Sequence, residues 1–201
     1  VYLKLIDNVI NAGKSVIVMV PEIALTPQTL KIFRNRYGEK VALFHSAMSL
    51  GQRMDEFKRV QRGEAKIAIG TRSAVFAPFT DLGLIIMDEE QEHTYKSEST
   101  PRFHARDVAR FRAGYNKCLL LLASATPSIE SYSKAKNGVY DLFTLTERYG
   151  TAKLPQVITV DTKEQLASGN AGILSRELTD ALTDIMDKGK QAILLLNRRG
   201  Y

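Results

Sequence analysis

The sequence is poor in cysteine and has no long apolar run. Its 201 residues include one cysteine, Cys118, beside the apolar run Leu119 to Leu122. A single cysteine excludes a disulfide framework and a cysteine-based metal site within these residues. No stretch of about 18 apolar residues occurs, and no basic segment precedes a short apolar one, so we expect neither a membrane span nor a secretory signal. These absences favour a cytoplasmic protein with no membrane partner.

The composition is that of an ordinary globular protein with a mild excess of positive charge. Hydrophobic residues make up 44% of the chain and charged residues 25%. This is enough to bury the core of one domain, with room for part of a second. The formal net charge of +6 favours a polyanionic partner. It does not identify one, because many basic proteins bind nothing acidic.

Short apolar segments alternate along the chain with segments whose apolar residues recur at helical spacing. This alternation predicts an α/β fold in which helices cover both faces of a doubly wound, mostly parallel sheet. The predicted strands are Ser15 to Val20, Val41 to Phe44, Ile67 to Ile69, Leu84 to Met87 and Leu119 to Ala123. The predicted helices are Tyr2 to about Gly13, Thr26 to Gly38, Ser49 to Gly63 with an apolar stripe of Met54, Phe57 and Val60, about Ala105 to Arg112, and about Ser128 to Lys136.

The pattern weakens after these elements and then resumes. Residues 1–145 are predicted to form one domain, 146–174 a linker, and 175–201 the beginning of a second domain. In this last part a helix ending at Gly189 and a buried strand from Ala192 to Leu196 are expected. Because Val1 offers no helix cap and the chain stops directly after a predicted strand, both ends are expected to be cut from a longer protein.

Three carboxylates stand at the end of the predicted strand Leu84 to Met87. Asp88, Glu89 and Glu90 follow the strand directly, and Gln91 comes next. In open α/β sheets ligands collect at the carboxyl ends of the strands, and Mg²⁺ is held there by one or two carboxylates together with phosphates. The alternative is that these acids only cap the loop or helix that follows.

A phosphate site of this kind calls for a glycine-rich loop, and the sequence contains no good match to G-x-x-x-x-G-K-[ST]. The nearest stretch is Gly13-Lys14-Ser15, in which Asn8 occupies the place of the first glycine. A phosphate loop follows a strand and opens a helix, whereas this stretch follows a helix and opens a strand. We interpret it as a helix cap, and we expect the phosphate loop to lie upstream of Val1.

Other strand ends carry small residues, hydroxyls and free backbone N–H groups, which suit contacts to phosphate oxygens. Taken singly, each could equally be turn and capping chemistry. The three stretches are Pro21 to Gln28, Gly70 to Ser73 and Ser124 to Ser128.

Together with Ala74 to Pro78 and Asn197-Arg198-Arg199-Gly200-Tyr201, these motifs resemble those of superfamily 2 helicases. The chain most resembles the bacterial PriA family, the primosomal helicases that restart stalled replication forks. The resemblance covers the whole chain. It implies a RecA-like P-loop NTPase fold for the first domain and the start of a second RecA-like domain.

The resemblance implies a role for each motif. Asp88 would coordinate the Mg²⁺ of MgATP, and Glu89 would orient or deprotonate the attacking water. The residues that would couple the nucleotide site to DNA are Glu90, Gln91, Ser124, Ala125 and Thr126. Those that would lie along single-stranded DNA are Pro21, Glu22, Thr26, Gln28, Gly70, Thr71, Arg72 and Ser73, with Tyr95, Lys96, Arg102 and Arg106 from an aromatic-rich loop.

Some of these assignments have alternatives or depart from the family pattern. The alternative for Tyr95 and Phe103 is that they are core anchors, and for Phe103 both assignments are equally expected. Gln91 stands where the family usually has histidine; it can donate and accept hydrogen bonds but cannot titrate. The zinc-binding cysteines of the family are expected beyond Tyr201, so zinc would be bound only by the full-length protein.

The sequence therefore predicts part of an ATP-dependent DNA helicase, cytoplasmic and nucleoid-associated, whose residues 1–201 alone would not hydrolyse ATP. Implied partners are single-stranded and forked DNA, other primosome proteins and single-stranded DNA-binding protein. Two alternatives are open: another superfamily 2 DNA translocase, or a non-catalytic nucleic-acid-binding module whose acids are solvated caps.

Overall fold

The computed structural model of the chain describes residues 1–147, 155–167, 169, 172 and 174–195. The chain divides into two compact units, Val1–Phe143 and Thr144–Tyr201, each of which is described by itself. Across the described residues, no helix is both long enough and apolar enough to cross a membrane.

The first unit is built on a five-stranded parallel sheet. Its strands lie in the order β2-β3-β1-β4-β5, and every neighbouring pair is parallel. The central strand pairs with both neighbours at Val18, which lies opposite Ile69 on one side and Ile86 on the other. The strands are β1 (Ser15–Met19), β2 (Val41–Phe44), β3 (Ile67–Gly70), β4 (Leu82–Met87) and β5 (Leu119–Leu122).

Five helices accompany this sheet, and several begin at the residues that the sequence marks as caps. Thr26 accepts a hydrogen bond from the Thr29 backbone N–H, and Ser49 and Gln52 form the predicted capping box. The fourth helix continues past Arg112, where it was predicted to end. The helices are α1 (Tyr2–Asn11), α2 (Pro27–Tyr37), α3 (Leu50–Gln61), α4 (Ala105–Asn116) and α5 (Ile129–Lys136).

Short 3₁₀ helices fill the turns that follow three of the strands. Glu22–Ala24 comes after β1, Arg72–Phe76 after β3, and His93–Tyr95 after β4. These turns therefore belong to the same edge of the sheet, where the predicted site residues cluster.

The core consists of two apolar layers, one on each face of the sheet. Because side chains alternate along a strand, Ile17 and Met19 face the layer that contains α4, while Val18 faces the layer of α1 and α2. The predicted doubly wound α/β class is thereby confirmed. The predicted stripe of α3 is only partly buried: Val60 enters the core, but Met54 and Phe57 are exposed.

The second unit contains two helices in its described part, α6 (Thr162–Ala167) and α7 (Arg176–Asp187). The first lies within the predicted linker. The predicted strand from Ala192 is wrong over 192–195, where the backbone forms no strand and Ile193 is 98% exposed. An apolar run becomes a strand only when a neighbouring strand satisfies its backbone groups, and 192–195 pairs with no strand in the part of the chain that the structure describes. Leu196 and the motif Asn197 to Tyr201 lie outside the described residues.

Candidate functional site

The carboxyl ends of the parallel strands bring the predicted motifs to one edge of the sheet. Met19 and Met87 are paired at the ends of β1 and β4, and Gly70 ends β3 beside Met19. The residues that follow these strands therefore emerge side by side. Asp88 continues the pairing, since its backbone N–H donates to the Met19 carbonyl at 2.9 Å. This edge is the candidate site.

Asp88 faces the beginning of α1. The Tyr2 hydroxyl donates a hydrogen bond of 2.5 Å to Asp88 Oδ1, although the two residues are 86 positions apart. Burial, followed by the hydrogen bond to Asp88, raises the pKa of Tyr2, so its phenol stays protonated and acts as the donor. The acid predicted to bind magnesium thus lies at the start of the first helix.

A chain of side-chain hydrogen bonds connects Glu89 to the loop after β5. The Gln91 amide donates to Glu89 Oε2 at 2.8 Å and accepts from the Ser124 hydroxyl at 2.6 Å. Ser124 Oγ in turn accepts from the Thr126 backbone N–H at 2.8 Å. Gln91 therefore uses both of its hydrogen-bonding capacities, and the two predicted motifs are physically joined.

Glu89 has an unusual backbone. Its φ of 47° lies in the left-handed region, which side chains other than glycine rarely adopt. The Glu92 backbone N–H donates to the Glu89 carbonyl at 2.9 Å and closes the turn. A strained conformation held in this way is often found at functional sites.

Glu90 points into the protein. It is 2% exposed and is bound by Arg106, Ser128 and Ser131. Burial alone would favour the neutral acid, but the Ser128 backbone N–H and the Arg106 guanidinium outweigh it, so the pKa of Glu90 is lowered. Its carboxylate is charged and fully engaged within the protein.

Two residues predicted to contact DNA have structural roles instead. Tyr95 is 1% exposed, and its hydroxyl donates to the Asp88 carbonyl at 2.7 Å, so the alternative assignment as a core anchor holds. The Arg106 side chain is 13% exposed and forms an ion pair with Glu90 at 2.9 Å. A guanidinium bound in this way neutralises the buried carboxylate rather than a phosphate.

An open groove of about 580 Å³ lies at the same edge of the sheet, among residues that follow β1, β2, β3 and β4. Six predicted DNA-contacting residues line it: Glu22, Thr71, Arg72, Ser73, Lys96 and the largely buried Tyr95. Other lining residues were not assigned to DNA from the sequence, including His45, Ser46, Arg53, Glu98 and Ser99. His45 and Ser46 directly follow β2, so the rule that identified the other strand ends would have found them.

Arg72 is hydrogen-bonded to the loop after β4, which also lines this groove. Its guanidinium donates to the carbonyls of Thr94 at 3.2 Å and Lys96 at 2.6 Å. It also lies 6.0 Å from the centre of the Phe103 ring, which packs edge-on against Phe76. Arg72 therefore holds the loop after β4 against the turn after β3.

The remaining predicted DNA-contacting residues lie outside the groove lining. For two of them turn and capping chemistry explains the residue: Pro21 opens a 3₁₀ helix and Thr26 caps α2. Gly70 is explained by close packing, since the Phe44 backbone leaves no room for a Cβ there. Gln28 and Arg102 are exposed.

The donor set at Asp88 suits a metal that is shared with phosphates. Within the described residues, no group of three or more histidine, cysteine or acidic side chains is arranged to hold a metal by itself. One carboxylate at a strand end fits Mg²⁺, which commonly takes one or two protein carboxylates together with substrate phosphates. The exclusion of Gly13-Lys14-Ser15 is confirmed, since Ser15 begins β1 and donates to Asp81 at 2.6 Å, away from Asp88.

The family model described as DEAD/DEAH box helicase matches residues 1–135. The chain therefore belongs to the DEAD/DEAH box helicase family, and its sheet is that of a RecA-like α/β domain. Over its whole length it is 47% identical to the replication restart protein PriA of Bacillus subtilis (strain 168), and 44% identical to that of Synechocystis sp. (strain ATCC 27184 / PCC 6803 / Kazusa). These similarities confirm the resemblance to the PriA family.

The chain spans 25% of the length of each of these two relatives. Among solved structures, the C-terminal part of the Fun30 ATPase domain aligns over 68% of this chain and 49% of its own length, at 14% identity and a TM-score of 0.40. At that score the alignment adds nothing to the fold assignment.

Proposed function

We propose that this chain supplies the hydrolytic acids and part of the DNA-binding groove of an ATP-dependent DNA helicase. The observation that carries the proposal is the position of Asp88, which lies at the end of β4 and is hydrogen-bonded to Tyr2 at the start of α1. In an open parallel sheet this is the edge where nucleotide phosphates bind.

Asp88 and Glu89 would have different roles at the nucleotide. Asp88 would hold the Mg²⁺ of MgATP, which when bound neutralises charge that develops on the phosphates. Tyr2 fixes the orientation of the Asp88 carboxylate through Oδ1. Glu89 would orient or deprotonate the attacking water, and the Gln91 amide limits the directions in which its carboxylate can turn.

The hydrogen bonds between Gln91 and Ser124 would couple the nucleotide site to the loop that contains Ala125 and Thr126. In the groove, Thr71, Ser73 and Lys96 would contact DNA phosphates; the support for this is that all three line it. Contacts of this kind are sensitive to salt and tolerant of sequence. Arg72 would contribute indirectly, by holding the loop that contains Lys96.

The biological role that we propose is the restart of stalled replication forks and assembly of the primosome. The relatives that match the chain are named replication restart proteins. Single-stranded and forked DNA, primosome proteins and single-stranded DNA-binding protein would be the partners, in the cytoplasm at the nucleoid. Zinc would be bound by parts of the full-length protein outside this chain.

The substitution Glu89→Gln in the full-length natural protein tests this proposal. The amide keeps the size and the hydrogen bond to Gln91 but cannot accept a proton, so kcat for ATP is expected to fall by ~10²–10⁴ while ATP still binds. Glu92→Gln changes a neighbouring acid of the same type and is the matched control. An unchanged kcat for Glu89→Gln would remove this residue from the chemistry.

A second expectation concerns the 201 residues alone. Because they contain no G-x-x-x-x-G-K-[ST] stretch to cradle a triphosphate, we expect no ATP turnover from them, with or without DNA. DNA-stimulated hydrolysis by the purified 201-residue chain would contradict the assignment of the acids as only part of the nucleotide site.

A further inference from the structure

The third acid of the motif is attached to both ends of the loop that follows β5. The Glu90 backbone N–H donates to the Ala123 carbonyl at 3.1 Å. Its side-chain Oε1 accepts the Ser128 backbone N–H at 2.6 Å, and its Oε2 accepts the Ser128 hydroxyl at 3.1 Å. Residues 124–127 therefore span two points that are both fixed to the same residue.

Glu90 also fixes the start of α5. The first N–H groups of a helix have no partner within the helix and need acceptors from outside it. Ser128 accepts from the Ser131 N–H as the cap, and the Ser131 hydroxyl donates to Glu90 Oε2 at 2.9 Å. A carboxylate at this end of a helix also complements the helix dipole.

Arg106 balances the charge of this buried carboxylate. Its Nη1 lies 2.9 Å from Glu90 Oε2 and also donates to the hydroxyls of Ser128 and Ser131. A buried ion pair surrounded by hydrogen bonds tolerates the loss of neither partner alone, but replacement of both by apolar residues is often harmless to stability. Mutations of this pair can therefore distinguish an effect on the stability of the protein from an effect on the position of the loop 124–127.

We propose that Glu90 is a positioning residue, which sets the place of the loop 124–127 from both of its ends while Gln91 holds its interior through Ser124. Adjacent residues of one acidic motif would then transmit a movement at Asp88 and Glu89 to the loop as a unit. The inference deepens the proposed function and rests on it, because the loop matters for coupling only if the chain belongs to a DNA-driven ATPase.

Two variants of the full-length protein separate position from stability. Glu90→Gln keeps an oxygen that can accept the Ser128 N–H but leaves Arg106 buried without a counter-charge. The double variant Glu90→Met with Arg106→Met removes both charges and every acceptor for Ser128. For each variant we would measure the melting temperature, and the ratio of kcat for ATP with single-stranded DNA to kcat without it. This ratio is independent of the fraction of active enzyme.

If Glu90 is a positioning residue, the two measurements rank the variants oppositely. Glu90→Gln should be the less stable variant but keep a stimulation ratio close to that of the unmutated protein. The double variant should be the more stable one, yet its ratio should fall at least ~10-fold, or to one if stimulation is smaller than that. A ratio that follows the melting temperature, or a double variant with full stimulation, would overturn the proposal.

Hydrogen exchange supplies a measurement that does not depend on ATPase activity. In the unmutated protein the Ser128 amide should exchange slowly, although the first amides of a helix ordinarily exchange fast for lack of a partner. In the double variant it should exchange at least ~100-fold faster while the β4 amides keep their protection. Fast exchange at Ser128 in the unmutated protein overturns the positioning role, whereas absence of DNA-stimulated turnover there refutes only the proposed function.

Discussion

The hydroxyl of Tyr2 lies 2.5 Å from Oδ1 of Asp88, and this contact joins the first turn of α1 to the end of the sheet. It defines one wall of the candidate nucleotide site. Burial, together with this hydrogen bond, raises the pKa of the Tyr2 phenol. The acidic motif is therefore held in place from three sides: by α1 through Tyr2, by the loop after β5 through Gln91, and by α5 through Glu90.

Substitution of Tyr95 by phenylalanine tests its reassignment from DNA contact to core anchor. The ring should remain buried, but the Asp88 carbonyl loses its hydroxyl partner, so the free energy of unfolding should fall by about 1–2 kcal/mol. Chemical denaturation of the 201-residue chain measures this change, with Tyr132→Phe, a half-exposed tyrosine, as the control. Unchanged stability together with weaker DNA binding would restore the original assignment.

Lys96 is an exposed cation that lines the groove, and its removal should weaken DNA binding mainly at low salt. For Lys96→Ala we expect a lower affinity for single-stranded DNA of any sequence, with the slope of log K against log salt reduced by about 1. Fluorescence anisotropy across a salt series measures both quantities. Lys58→Ala removes an exposed lysine of α3 outside the groove lining, and an equal effect there would mean that binding follows net charge only.

Two glycines should respond oppositely to alanine. A Cβ at Gly70 would lie 1.9 Å from the Phe44 carbonyl oxygen, so Gly70→Ala must push β2 and β3 apart. We expect a loss of about 3 kcal/mol or more in the free energy of unfolding. Gly114 lies in α4 with nothing within 4 Å of its Cβ position, so Gly114→Ala should gain about 0.5–1 kcal/mol. A mild effect at Gly70 would contradict the close approach of its backbone to Phe44.

Much of the fold could be predicted because it depends on local chemistry. The capping box of Ser49 and Gln52 needs only residues three positions apart, and each buried strand of the first unit is a short apolar run. The position of Asp88 followed as well, since parallel strands place their carboxyl ends at one edge. Where a predicted element required a partner distant in sequence, as at 192–195, the local pattern was insufficient.

The finer assignments within the site depended on contacts that the sequence does not encode locally. Arg106 and Glu90 are 16 residues apart. From the sequence alone, an arginine that neutralises a buried acid cannot be distinguished from one that binds phosphate. Tyr95 likewise suits a platform for base stacking until its burial in the core is seen. Arg72 could be assigned to the DNA-binding residues from the sequence, but its hydrogen bonds to the Thr94 and Lys96 carbonyls could not be predicted.

The most direct test of this account compares two aspartates at opposite ends of the sheet in the full-length protein. Asp81 pairs with Lys66 and Ser15, and these hydrogen bonds outweigh its burial and lower its pKa, so Asp81→Asn should reduce stability. Asp88→Asn keeps Oδ1 for Tyr2 but weakens metal binding. The account predicts that Asp88→Asn lowers kcat for ATP by ~10²-fold or more, whereas Asp81→Asn leaves kcat per folded molecule unchanged. Wild-type turnover by Asp88→Asn would contradict it.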